Sequence, residues 1–411
     1  MEPASFFSCY YEALRGQPPM KWMERLFANI CQGAYPRLVD LPTGAGKTEL
    51  VVIWLCALAW YEANGLKGKP IPRRLVWVVN RRVLVQQVHT LATELLRKLT
   101  GTTSPKLEPL RAGMRALSGD ADSFFDVVQL RGQIVPDREW AVRPAVPQLI
   151  IGTVDQIGSR LLFQGYGLGK WNRPQQAGLL GVDAWIAVDE AHLVPAFVLT
   201  LRQLHQRCAG PIDSLAPSLR DVFSGLPFWL TELSATPGLP EPEERAPGTR
   251  QRLAALNESA KERGLTPDED SEREKLEGNV FSLRGEEEQG AAIAPRVFAA
   301  KTRRVEITLL QEPKGKNRRE LLVSAIIETA MTHRSTADPA RVAIFVGEVK
   351  AADAVANALK KKGTPESHIC KITGRLRGYE RDRLIKTNNA VKRFLPQREG
   401  EPPNPLAGTV F

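Results

Sequence analysis

The sequence predicts an α/β fold of doubly wound parallel sheets, arranged as two successive units. Two observations carry that expectation. Short runs that are apolar on both faces alternate with longer helical patterns, as parallel strands covered by helices require. A stretch rich in Glu, Arg, Gly and Pro then follows Pro237, and the alternation resumes near Arg304. The strands expected in the first unit are Arg37–Leu41, Leu75–Asn80, Leu149–Gly152, Trp185–Asp189 and Trp229–Leu233. In the second unit strands are expected at Arg304–Leu310, Val342–Val346 and Ile369–Thr373, and helices at Arg319–His333, Val349–Lys361 and Tyr379–Ile385. Thr409, Val410 and Phe411 read as the opening of a strand that stays unpaired, leaving an open sheet edge. The organisation expected is an N-terminal extension over 1–17, a first domain over 18–237, a charged connector over 238–300 and a partial second domain over 301–411.

The bulk composition narrows the class. The chain has 411 residues, enough for two to three domains, and 43% of them are hydrophobic, as in ordinary soluble proteins. Its formal charge of +10 favours polyanionic partners, although many soluble proteins are basic without one. Cys9, Cys31, Cys56, Cys208 and Cys370 are scattered without zinc spacing and read as reduced thiols. The start, MEPASFFSCYYEALRG, lacks the pattern of a signal peptide. The longest apolar run, Leu50 to Tyr61, is shorter than the ~20 residues of a membrane span and reads as a buried helix. A cytoplasmic protein with no membrane partner is the expectation.

Three motifs follow expected strands, where ligands bind in open α/β sheets. Leu41-Pro42-Thr43-Gly44-Ala45-Gly46-Lys47-Thr48 opens the Leu50–Tyr61 helix. Glycines there let backbone N–H groups approach phosphates, and the helix N-terminus favours their charge. Thr43, Gly44, Ala45 and Gly46 would cradle ATP, Lys47 would reach its β- and γ-phosphates, and Thr48 would ligate Mg²⁺. The strict pattern has Gly where this chain has Leu41. Asp189-Glu190-Ala191-His192 ends another strand. Asp189 would hold Mg²⁺ and Glu190 would orient and deprotonate the attacking water, since phosphoryl transfer is mostly positioning and charge stabilisation. Acidic residues are also common at helix N-termini for structural reasons. Ser234-Ala235-Thr236 follows a third strand. Such residues often cap helices, but with His192 they resemble, in place and order, the residues by which helicases link hydrolysis to movement along nucleic acid.

Together PTGAGKT, DEAH and SATP resemble superfamily 2 helicases, which implies tandem RecA-like domains, the second truncated here. Val79–Gln87 (VNRRVLVQQ), Gln129–Gly132 (QLRG), Gly152–Ile157 (GTVDQI), Ala343–Val346 (AIFV) and Thr373–Arg377 (TGRLR) resemble blocks of the CRISPR-associated helicase–nuclease of type I interference systems. The resemblance runs from about residue 18 to the end. It implies ATP-driven translocation along single-stranded DNA in antiviral defence, recruitment by a guide-RNA surveillance complex of the Cascade type, and DNA degradation by a metal-dependent HD nuclease domain. It places Asn80, Arg81, Arg82, Arg131, Gly152, Thr153, Asp155 and Gln156 along the DNA backbone; short blocks of this kind also cap helices or pair with acids. The chain departs from the family at Met23, where the element beginning Pro19-Met20-Lys21-Trp22 usually continues with Gln, which reads adenine. No His is followed by Asp, so the nuclease signature and its divalent metals are absent, as in the subtype whose nuclease lies C-terminal to the motor. The arginine-finger block is also absent, so the expectation is a chain that binds ATP with little turnover, no unwinding and no DNA cleavage. Two alternatives stand beside this reading: another superfamily 2 motor, acting on RNA or of restriction type, and a truncated nucleotide-binding module without turnover.

Overall fold

The computed structural model describes residues 2–65, 70–80, 82–101, 105–119, 123–130, 139–213, 228–234, 280–284, 318–332, 341–373, 387–394 and 409–411, with scattered positions between them. The chain divides into two compact units, Met1–Arg303 and Arg304–Phe411.

The first unit is built on a seven-stranded sheet, and every strand pairing in it is parallel. The strands are β1 (Leu38–Asp40), β2 (Arg74–Val79), β3 (Asp126–Leu130), β4 (Gln148–Thr153), β5 (Ala184–Asp189), β6 (Trp229–Ser234) and β7 (Val280–Ser282), in the order β3-β4-β2-β5-β6-β1-β7. All five strands expected from the sequence of this unit form. Alternation along each strand feeds two separate cores. Leu75, Trp77 and Val79 of β2 and Trp185 and Ala187 of β5 point into one; Val76, Val78, Ile186 and Val188 point into the other. Helices therefore cover both faces, and the doubly wound α/β class holds.

Among the described residues, the helices of this unit are α1 (Pro3–Arg15), α2 (Lys21–Cys31), α3 (Leu50–Ala63), α4 (Arg82–Thr100), α5 (Glu108–Ser118), α6 (Glu139–Val142), α7 (Val154–Leu161), α8 (Asn172–Gly181) and α9 (Pro195–Asp213). Residues Leu50 to Ala59 of α3 are all buried. Such a helix needs apolar neighbours on every side. Its outer side is covered by α1, α2 and α5. Helix α1 lies within the stretch read as an extension, yet it buries Phe6, Phe7, Tyr10, Tyr11 and Leu14, with Phe7 stacked on Phe27 of α2 at 4.8 Å. Strand β7 lies within the stretch read as a connector and pairs with β1 from Leu38↔Val280 to Asp40↔Ser282. Arg25 of α2 anchors that edge: its guanidinium lies 3.9 Å from the centre of the Phe281 ring and pairs with Glu287 at 2.8 Å.

In the second unit, helices α10 (Arg318–Thr332) and α11 (Val349–Lys361) pack together, with Ile327, Ala330, Val355, Leu359 and Phe411 at their core. Both were expected. Val342–Val346 and Ile369–Thr373 were expected as strands and are not assigned as such; among the described residues of this unit an isolated parallel bridge, Arg341↔Val410, is made. The chain's last residues are not an unpaired edge as expected. Val342 N–H donates to Val410 O, Cys370 N–H to Phe411 O and Phe411 N–H to His368 O, so the terminal segment is bonded on both sides. The expected strand Arg304–Leu310 lies outside the described residues, as does most of the expected helix Tyr379–Ile385.

Candidate nucleotide-binding site

Strands β5, β6 and β1 are neighbours, and their registers align their carboxyl ends: Asp189 lies beside Leu233, and Asp40 beside Ser234. The motifs that follow these strands therefore meet at one rim of the sheet. After β1 the chain turns through Gly44 and Gly46, both at positive φ (83° and 85°), which glycine adopts without strain. A 3₁₀ turn over Lys47–Glu49 then leads into α3. The loop is fixed from several sides. Leu41 N–H donates to Ser234 O at 3.2 Å, and the Leu41 side chain is fully buried, which accounts for an apolar residue where the strict pattern has Gly. A Cβ on Gly46 would meet Met23 Cε at 3.3 Å and Trp22 Cζ2 at 4.0 Å. Met23 is itself fully buried, so it supports the loop from beneath and occupies the core. Arg15 of α1 pairs with Glu49 at 3.0 Å and ties the outer helices to the same turn.

Lys47 is largely buried, donates from Nζ to Leu41 O at 3.1 Å and lies 3.6 Å from Glu190 Oε1. Glu190 adopts φ 50°, an uncommon conformation for a non-glycine residue that turns the chain sharply after β5. Burial, then the adjacent Glu190 carboxylate, push the Asp189 carboxyl up to about 6, against the pull of Lys47. His192 Nδ1 lies 2.9 Å from Ser234 Oγ and 3.5 Å from Glu190 Oε2. A chain of contacts thus runs from Lys47 through Glu190 and His192 to Ser234 at the end of β6. Asp40, at the end of β1, was not singled out from sequence; burial raises its pKa and Lys47 lowers it.

The residues present suit Mg²⁺ with a nucleotide phosphate. Thr48, Asp189 and Glu190 offer hard oxygen ligands, and burial of Asp189 favours a cation beside it. Among the described residues no group of three or more His, Cys, Asp or Glu is arranged to hold a metal by itself.

The residues expected along nucleic acid are less uniform. Arg81, Arg131, Ala235 and Thr236 lie outside the described residues, and Arg82 opens α4. Asn80 follows β2 with its Oδ1 buried and without a hydrogen-bond partner. Of the block after β4, Asp155 is exposed, whereas Gly152, Thr153 and Gln156 are buried. A Cβ on Gly152 would lie 2.8 Å from Ile157 Cδ1. Gln156 Oε1 accepts from Arg160 Nη1 at 2.7 Å.

No protein-family model matches the chain, and no curated protein matches it. Solved structures similar to it include a point variant of S. cerevisiae Dbp5 bound to RNA and ADP BeF3, with 14% identity over 95% of this chain and 72% of that one and a TM-score of 0.42. The DEAD-box helicase Mss116 bound to ssRNA and UDP-BeF is 14% identical over 94% of this chain and 61% of that one, with a TM-score of 0.45. The DUF1998 helicase MrfA bound to DNA is 14% identical over 94% of this chain and 41% of that one, with a TM-score of 0.44. The chain therefore spans less than two thirds of the length of the last two. Among the described residues no helix is long and apolar enough to cross a membrane.

Proposed function

We propose that this chain is the ATP-binding part of a superfamily 2 nucleic-acid helicase or translocase. One observation carries the reading: Lys47, the Asp189–Glu190 pair and the His192–Ser234 pair meet at the carboxyl ends of three adjacent parallel strands. Lys47 is held by weak substitutes, a backbone carbonyl and a carboxylate. A triphosphate would offer it stronger charge-assisted contacts. The N–H groups of Thr43 to Lys47 would surround the phosphates, Thr48 and Asp189 would hold Mg²⁺, and Glu190 would orient and deprotonate the water. The ion would neutralise charge on the phosphate oxygens. The His192–Ser234 contact would couple that chemistry to the segment after β6, where Thr236 stands.

The finer reading is an ATP-dependent single-stranded DNA motor of type I CRISPR interference, recruited by a Cascade-type complex. It is supported by the sequence blocks around Asn80, Gly152–Ile157 and Thr373–Arg377 and by the basic charge. Calorimetry tests the nucleotide site. Lys47→Ala should weaken Mg–ATP binding at least about tenfold, ~1.4 kcal/mol; unchanged affinity would remove the assignment.

A further inference from the structure

From Gln156 to Val182 the chain holds no Asp or Glu. The middle of this stretch, between α7 and α8, exposes large apolar groups: Phe163 is 54%, Tyr166 62% and Trp171 82% exposed. The three lie close in sequence, between positions 163 and 171, and apolar groups exposed side by side mark an interaction surface. The backbone presents them deliberately. Helix α7 ends with Phe163 N–H donating to Arg160 O and Gln164 N–H to Ser159 O, a termination that places Phe163 at φ 60°. Glycine normally takes that position. A phenylalanine there carries backbone strain, and its exposed ring gains little burial to offset it.

Cations lie in the same stretch, one of them beside a ring. Lys170 Nζ lies 5.1 Å from the centre of the Trp171 ring, and Arg173 donates to Leu168 O at 3.3 Å. The platform also has a floor: Arg160 is buried beneath it, held by Gln156 and Gln176, and a Cβ on Gly165 would lie 3.0 Å from Arg160 Cγ. Helix α8 lies against β2 and β5 and ends where Arg74, at the amino end of β2, donates to Val182 O. It has 10 residues, and a rise of 1.5 Å each makes it about 15 Å long. Its N-cap position is Trp171, so the aromatic segment leads directly into this packed helix.

We propose that Phe163, Tyr166 and Trp171 form a stacking platform for the bases of single-stranded nucleic acid, with Lys170 and Arg173 meeting its phosphates. Exposed aromatic rings beside cations, with no acid in the segment, match a flexible polyanion that carries flat apolar bases. A charge-neutral apolar partner would leave the bias in charge without a use. The inference rests on the reading of the chain as the ATP-binding part of a nucleic-acid motor.

The test compares binding of the full chain to oligothymidylate and to an abasic deoxyribose-phosphate oligomer of equal length and charge. Stacking predicts that the wild type prefers oligothymidylate by about tenfold or more. The Tyr166→Ala/Trp171→Ala variant should lose that preference, and Trp171→Phe, which keeps a ring, should retain most of it. Both positions are exposed, and Mg–ATP affinity, measured in parallel, should not change. Equal binding of both oligomers by the wild type overturns the proposal, as does a preference that survives the double substitution. Concentration-dependent self-association abolished by the double variant, with the oligomer preference untouched, would assign the surface to a second copy and overturn it too. A Trp171-dependent base preference without Lys47-dependent ATP binding would uphold the platform and sink the motor reading instead.

Discussion

The loop after β1 and the block after β4 look alike in sequence: each follows a buried parallel strand, opens a helix and carries small and polar residues. Their side chains are used differently. After β1, Lys47 is directed at Glu190 and at a backbone carbonyl, in a loop that turns through two glycines at positive φ. At the end of β4, Gly152 makes room for Ile157, and Gln156 of α7 turns inward to Arg160. The first arrangement directs a cation at the strand ends; the second turns an amide side chain into the core. A motif at a strand end gives the place where ligands bind, and the partners of its polar atoms show whether those atoms are available.

That contrast breaks most sharply at Gln156. If its side chain serves the core, Gln156→Ala removes a hydrogen bond from a buried guanidinium, whose burial already lowers its pKa and whose Nη2 has no partner. The expected loss is ~2–3 kcal/mol of stability, as for hydrogen bonds to buried charged groups. Thermal denaturation should show it, while the folded fraction should bind single-stranded DNA as the wild type does. A variant of native stability with impaired DNA binding would restore the nucleic-acid role that the sequence suggested.

Gly152→Ala sharpens the same point with a smaller effect. The added Cβ would come within 2.8–2.9 Å of the Ile157 side chain. Ile157 can shift only by crowding a packed core, so overpacking of ~1–3 kcal/mol is expected. Pairing it with Ile157→Val should recover part of that loss. A change in DNA affinity without a change in stability would argue instead for close approach of a ligand backbone.

Strands β2, β4 and β5 were legible because each carries a continuous apolar run buried on both faces. Strand β3 escaped because it is an edge, where Asp126 and Gln129 interrupt the apolar pattern. Strand β7 escaped because three residues inside a charged stretch leave no periodicity to read; Arg25, far away in sequence, supplies its anchor. Helix α1 was undervalued although its aromatic spacing at positions 6, 7, 10 and 11 is helical. The candidate site residues were singled out from motifs that follow expected strands. Asp40 was not, because its significance comes from proximity to Lys47, which only the fold creates. In the second unit, apolar runs suggested strands, but among the described residues an isolated bridge forms instead.

The smallest effect returns to the nucleotide rim and concerns protons. In the ligand-free chain the folded-state pKa of Asp189 is about 6, raised first by burial and then by Glu190. An unfolded Asp titrates near ~4. The folded chain therefore holds this proton more tightly than the unfolded chain does. The stability linked to that proton is fully present below the unfolded value and is lost as pH rises through about 6. Ligand-free protein should thus lose melting temperature across that window, and Asp189→Asn, which cannot ionise, should flatten the change. Other groups contribute to the total pH dependence, so the difference between the two proteins is the quantity to measure. Mg–ATP should reverse its sign for the wild type, because a cation at Asp189 favours the ionised carboxylate and competes with the proton. Melting curves at several pH values, with and without Mg–ATP, check this. Identical slopes for wild type and Asp189→Asn would show that Asp189 does not carry the buried charge on which the metal assignment depends.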